Sequence, residues 1–434
     1  MPLIVLVKIA ARIVGAAVFA KLRHAGLARA LGLGVDPTAL NPLALIAFAR
    51  GRMAGQHSRR LMNSRSTANK AEVVSIQYLR GVAAMSVALF HTSVNMPTFA
   101  WPSSLARDFG DCGIDVFFVI SGFVMFFVTK DNSMSPRTFL LRRIIRIVPL
   151  YWLATILYLI LFLASGYGRA NELVFSHIIQ SMLFIPHVNP GTGTNVPLLR
   201  PGYTLNYEMY FYFLFAALLF VSSTGKRLAL LVAYGIAVSL LFVVTDPQAP
   251  VLRIYENPII LEFVAGSVLG YLYMNGYLAK ISPWIGLAMT VLGAAGLFYF
   301  HLKNSDFETF TQGGPAALLG CGVLTLEAAN RLPKIEFMKT LGDSSYSIYL
   351  VNPIILSALN GAMRFLRVPV ENPLVGTPLV LLGLGAAALG GYITYKFIEL
   401  PLTGWCKRLI FRGKSASARR REVLTPLTDA RSRG

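Results

Sequence analysis

Charge is scarce in this 434-residue chain: only 14% of its residues are charged, against about 25% in a soluble globular domain. With 55% hydrophobic residues, that shortage excludes an ordinary soluble domain and indicates a polytopic membrane protein. Cysteine is scarce too. Cys112, Cys321 and Cys406 fall in different segments without metal-ligand spacing, so no structural disulfide and no metal site are expected. No G-x-S-x-G, Walker loop, H-E-x-x-H or dinucleotide fingerprint occurs where strand–turn–helix context could support it. Acidic residues number 20 against 40 basic ones, a net charge of +20. On a polar domain this would suit nucleic acid. Here the bases sit in short loops and tails between apolar runs, without an aromatic-interleaved basic stripe. The expected partner is anionic membrane lipid, not nucleic acid.

What the chain does have is apolar runs. Ten stand out, over residues 74–95, 113–129, 147–165, 206–223, 228–245, 257–275, 284–300, 314–329, 343–362 and 374–395. The second and eighth are short for a ~30 Å hydrocarbon core. Residues 173–187 read as a further half-span or interfacial helix. With the N-terminus inside, the outer loops hold Arg107, Arg169, Arg200, Arg253, Lys303, Arg364 and Arg367. Apart from Arg80, every other Lys and Arg falls in an inner segment. This alternation predicts an all-α polytopic membrane helix bundle of about ten transmembrane helices, both termini cytoplasmic. Residues 1–72 form a basic extension. Its run Pro2–Ala20 is broken by Lys8 and Arg12, which makes a poor signal peptide. It reads either as an amphipathic helix on the inner surface or as an over-called start, with Met53 or Met62 as the alternatives. The transmembrane domain covers 73–405, and 406–434 is a basic tail expected to be disordered.

Several polar groups interrupt these runs. Arg80 and His91 are eleven residues apart, just over three helical turns, so they share one stripe about 16 Å long. The stripe either lines a cavity that does chemistry or snorkels at both ends. Arg142, Arg143 and Arg146 precede the third span, the last two at i, i+3 on one face. They are either a phosphate dock, which suits the planar guanidinium fork, or a positive-inside anchor. Glu208, expected near the outer end of span four, has Tyr212 at i+4. It could orient His91, leaving the other imidazole nitrogen as a general base, or sit incidentally in an aromatic belt. Ser121-Gly122 interrupts a phenylalanine-rich span and reads by itself as close helix packing. Asp343 and Ser344 look like a helix start, Ser347 and Asn352 put polar groups on span nine, and Glu262 and Glu399 are acids at span ends.

These motifs, YLRGVAAMSVALFH, DVFFVISGFVM, RRIIRIVPLYW, TLNYEMYFYFLF, LGDSSYSIYLVNP and FIELP, occur in that order. Over residues 73–405 the chain resembles the acyltransferase 3 family of bacterial membrane O-acyltransferases, and most closely the branch that acetylates exopolysaccharide and related glycans. The resemblance implies transfer of an acyl group, usually acetyl, from cytoplasmic acyl-CoA (acetyl-CoA) to a glycan acceptor across the bacterial inner membrane. It gives the helix-one Arg and His as Arg80 and His91, the R-x-x-R pair as Arg143 and Arg146, and the fourth-span acid as Glu208. Arg142, Arg143 and Arg146 are expected to hold the CoA phosphates, and Tyr212, Ser121, Ser347 and Asn352 to support the site. One position departs: where the family motif often ends in His, this chain has Asn352. Asn cannot act as a base, so the weight falls on His91. Polysaccharide assembly machinery is a further expected partner. The alternative from another class is a glycan or lipid-linked sugar transporter with an intramembrane proton relay, although no internal hydropathy repeat is apparent. A phosphatase fusion after Arg200 is expected to be active outside the cell, and one after Lys130 silent. The opposite result would reverse the orientation.

Overall fold

The computed structural model describes residues 73–95, 103–130, 134–165, 174–245, 249–301, 308–368 and 373–411. The expected N-terminal extension and most of the basic tail lie outside the described residues, whose regular elements are all helices. The helices are α1 Val74–Asn95, α2 Ser103–Val128, α3 Pro136–Ser165, α4 Phe175–Met182, α5 Gly202–Leu218, α6 Thr224–Thr245, α7 Pro250–Tyr255, α8 Ile260–Met274, α9 Pro283–His301, α10 Glu308–Ala328, α11 Glu336–Asp343, α12 Ser345–Phe365 and α13 Pro373–Thr394. Proline opens α3, α7, α9 and α13, where its missing N–H costs nothing. Each of the ten apolar runs falls on a helix, and six helical segments are long and apolar enough to cross a membrane. They include α3, α6 and α12. By contrast α1 buries Ser75, Ser86, His91 and Thr92. Of the run 173–187, the described residues 174–187 form the eight-residue α4, about 12 Å long and too short to span.

Close packing holds the bundle's centre. A Cβ on Gly122 of α2 would lie 2.0 Å from the Phe263 carbonyl oxygen, and one on Gly266 of α8 would lie 1.8 Å from that of Val119. Each glycine therefore admits the other helix's backbone, the close approach that small residues allow between membrane helices. Ser267 Oγ adds a hydrogen bond to the Gly122 carbonyl at 3.3 Å. Phe263 then stacks on Phe211 of α5, with ring centroids 4.2 Å apart, and contacts Phe118 of α2 at 4.8 Å. At the periphery α6 and α9 expose Leu240, Val243, Val244, Val291 and Leu292, a face suited to lipid.

Two polar ties fix helix ends on one side of the bundle. Glu327, at the end of α10, accepts hydrogen bonds from the Val74 N–H at 2.7 Å and the Ser75 N–H at 3.0 Å, and from the Ser75 hydroxyl. A carboxylate there satisfies orphan donors of α1 and complements its dipole. Ser347 Oγ donates to Glu399 Oε2 at 2.7 Å, joining α12 to the π-helical turn Tyr395–Glu399 that follows α13. Ser344 does not cap α12 as expected. Its hydroxyl bonds back to the Thr340 carbonyl at 2.7 Å, because α11 runs up to Asp343 and leaves Ser344 as a hinge between two helices. Glu327→Ala should cost about 1 kcal/mol, as loss of a helix cap does, and lower the unfolding temperature in detergent. An unchanged temperature would show that the cap contributes nothing.

Candidate functional site

Five helices converge on a narrow cavity of about 80 Å³, enough for a few waters or a small acyl group. Arg80 comes from α1, Phe117, Phe118 and Ser121 from α2, and Arg143 and Arg146 from α3. Thr204, Glu208 and Tyr212 come from α5, and Tyr346 and Tyr349 from α12. Thr204, Glu208 and Tyr212 are spaced by four, so they form one stripe of α5 about 12 Å long. Thr204 sits at the first turn of α5 beside Tyr349, hydroxyl to hydroxyl at 2.5 Å. At the far end of the stripe, the Arg143 guanidinium lies 5.7 Å from the Tyr212 ring and 5.4 Å from the Phe139 ring. Aromatic faces partly replace the water that this cation has lost.

The wall is rich in cations. Arg80, Arg143 and Arg146 face Glu208, and Glu399 lies close behind them. The charges acting on Arg80 are Arg146, a like charge, with Glu399 and Glu208 opposing it. Those acting on Glu399 include Arg146, Arg80 and Lys407. Glu208 accepts hydrogen bonds from Ser121 Oγ at 3.1 Å and from the Tyr212 hydroxyl. Among these residues guanidinium groups outnumber carboxylates three to two, so the cavity favours a bound anion or a developing negative charge.

His91 is buried and does not line this cavity. Its Nδ1 lies 2.5 Å from Asn352 Oδ1. The Asn352 Nδ2 donates to the Ile348 and Tyr349 carbonyls, both at 2.9 Å. Pro353, inside α12, has no N–H for the Tyr349 carbonyl, and the Asn352 amide fills that gap. With Nδ2 committed as donor, Oδ1 must accept. The imidazole proton then sits on Nδ1 and the lone pair on Nε2, the nitrogen that can act as a base. Through the Tyr349 carbonyl, Asn352 also joins His91 to a residue of the cavity wall.

Several sequence expectations change. Glu208 does not orient His91: its carboxylate is held by Ser121 and Tyr212, and Asn352 takes the orienting position. The reason is depth. Span four was expected from 206, but α5 begins at Gly202, which places Glu208 about 9 Å into the helix. Arg142 is exposed and lies outside the cavity that receives Arg143 and Arg146. Ser121 lines the cavity while Gly122 does the packing, so the dipeptide carries both roles. Ser347 is a structural partner of Glu399. Glu399, Thr204, Tyr346 and Tyr349 were not singled out as site residues, although Glu399 sits within the FIELP motif and Tyr346 and Tyr349 within LGDSSYSIYLVNP.

A family model described as an acyltransferase domain matches residues 73–396. The chain is 35% identical to the exopolysaccharide production protein ExoZ of Rhizobium meliloti (strain 1021) over 296 residues, which is 68% of this chain and 89% of that protein. It is 23% identical to the peptidoglycan O-acetyltransferase OatA of Listeria monocytogenes over 366 residues, 76% of this chain and 56% of that one. No solved structure matches.

The loop between α3 and α5 carries a second polar cluster. Trp152 Nε1 donates to the Met182 carbonyl at 2.7 Å, and Ser181 Oγ accepts the Leu198 N–H at 2.9 Å, so the loop is tied to α3 and α4. His187 Nδ1 lies 2.7 Å from the Ile185 carbonyl, which can only accept. His187 Nε2 is therefore the acceptor for His177 Nδ1 at 2.6 Å. That leaves the buried His177 Nε2 without a hydrogen-bond partner. Burial, with the neighbouring His187 adding to it, lowers the His177 pKa to about 4. An unfolded histidine titrates near 6.5. Neutral His177 therefore contributes its full stability above about pH 6.5 and loses it as the pH falls toward 4. The hydrogen-exchange protection factors of residues 183–199 should fall between pH 7 and pH 5, and His177→Gln should flatten that dependence. Equal protection at both pH values would show that the pair does not hold the loop.

Proposed function

The chain belongs to the acyltransferase family that this model defines, and on that premise we propose that it O-acetylates an exported polysaccharide at the bacterial inner membrane. It is an acyltransferase and a multi-pass membrane protein. The donor we infer is cytoplasmic acetyl-CoA, and the acceptor a hydroxyl of an exopolysaccharide or related glycan. The names of its relatives, one concerned with exopolysaccharide production and one with O-acetylation of peptidoglycan, share a glycan. The observation that carries the reading is the meeting of Arg80, Arg143, Arg146 and Glu208 in one cavity walled by apolar helices.

That cavity is too small for a nucleotide and large enough for a thioester end. The nucleotide would stay at the membrane surface, where the exposed Arg142 could meet its phosphates. Arg143 and Arg146 would guide the pantetheine inward, and Arg80 would stabilise negative charge growing on the thioester oxygen. The sugar hydroxyl would arrive from the opposite side. Nε2 of His91 would take its proton as the new C–O bond forms and the C–S bond breaks, and CoA would leave as the thiolate. Asn352 would hold the tautomer this requires. The same reading keeps the ten-span topology with both termini in the cytoplasm.

The test is transfer by purified protein from acetyl-CoA to a deacetylated glycan. His91→Ala should lower turnover by about 10²-fold or more, as loss of a general base does. Arg143→Ala with Arg146→Ala should raise the KM for acetyl-CoA. Asn352→Ala should lower kcat with that KM intact. Undiminished transfer by His91→Ala at equal protein level would sink the mechanism.

A further inference from the structure

A second cavity, of about 720 Å³, opens on the other side of α5, within the usual range of small-molecule sites (about 300–1,000 Å³). It is bounded by the 188–196 loop, the start of α5, the end of α6 and α7. Tyr203 at its edge is nine residues from Tyr212, so this cavity lies about 13 Å from the Arg143 end of α5, toward the opposite membrane face.

Its polar lining comes from Thr194, Asn195, Tyr203, Tyr207, Arg253 and Asn257. Asn257 Nδ2 donates to the Tyr207 hydroxyl at 3.4 Å, and the Tyr207 and Tyr203 hydroxyls are 3.0 Å apart. Asn257 Oδ1 accepts the Ile259 N–H at 2.9 Å, so the amide orientation is fixed and the chain of donors runs from Asn257 through Tyr207 to Tyr203. Aromatic rings beside amides and hydroxyls suit a pyranose, whose C–H faces pack on rings while its rim of hydroxyls both donates and accepts. Among the described lining residues the one formal charge is Arg253, so the site is built for a neutral or acidic sugar.

α5 is the wall between the two cavities. Tyr203 and Tyr207 face the outer one, while Thr204 and Glu208 face the inner one. The Tyr207 ring packs edge-on against Phe118 at 6.0 Å, and Phe118 lines the inner cavity. We propose that the outer cavity seats the saccharide unit of the acceptor, and that α5 sets the distance from that unit to the acyl group. This rests on the glycan-acetylating reading above.

The probe is an oligosaccharide fragment released from the producing cell's own exopolysaccharide and deacetylated with alkali. Its binding to the full chain in detergent is read by saturation-transfer NMR, and its acetylation in parallel. Binding by the wild type is expected. Tyr203→Ala and Asn257→Ala should raise the KM for the saccharide at least ten-fold while the KM for acetyl-CoA moves less than two-fold. Thr194→Trp, at an exposed loop position whose hydroxyl bonds that of Thr192, should fill the cavity and abolish saturation transfer. Failure of the wild type to bind, or binding unchanged in all three variants, overturns the proposal. Binding that these variants abolish, in a wild type that transfers no acetyl, upholds the cavity and refutes the acetyltransferase reading.

Discussion

Guanidinium groups cannot lie among apolar helices without counter-charge, and the rest of this structure follows from meeting that demand. Arg80, Arg143 and Arg146 come from two helices far apart in sequence. Their compensation comes from two other elements: Glu208 on α5, held by Tyr212, and Glu399 in the turn after α13. Removing one member of such a cluster costs several kcal/mol, because it leaves a buried charge uncompensated. The compensation is incomplete, with three cations against two carboxylates. That surplus positive charge would favour an anion in a cavity walled by apolar helices.

Much of the fold could be read from the chain because lipid imposes a simple rule. Apolar runs of sufficient length become helices, and each of the ten runs did. The site was legible where it depended on one helix. The i, i+3 arginines and the i, i+4 pair Glu208–Tyr212 face the same way as their spacing requires. It was not legible where it depended on two. Glu399 is a lone acid at a helix end in the sequence, and only folding brings it behind Arg80 and Arg146. Glu208 was set at the wrong depth because α5 starts at Gly202, in a stretch of Thr, Tyr and Asn that hydropathy does not mark as membrane.

Asn352 shows how a substitution read as a loss can be a reassignment. As an isolated residue it lacks the basicity of a histidine. In place it supplies the hydrogen bond that Pro353 withholds from the helix and fixes the tautomer of His91. One amide thus repairs a backbone defect and orients a candidate base, which a protonatable ring in the same position would do differently. The Ser121-Gly122 pair divides its labour similarly. The glycine lets α2 and α8 touch, and the serine reaches Glu208.

The capping of α1 by Glu327 also has a consequence in time. The donors on α1 and the carboxylate that satisfies them are separated by 253 residues. At translation rates of about 5–20 residues per second, the wait between them is roughly 13–50 s. Through that interval the helix that bears Arg80 and His91 is present without its cap, without α12 and without Asn352. The Arg80–His91 stripe is thus made first and completed last, so a chain cut short during synthesis would hold the arginine and histidine without the groups around them.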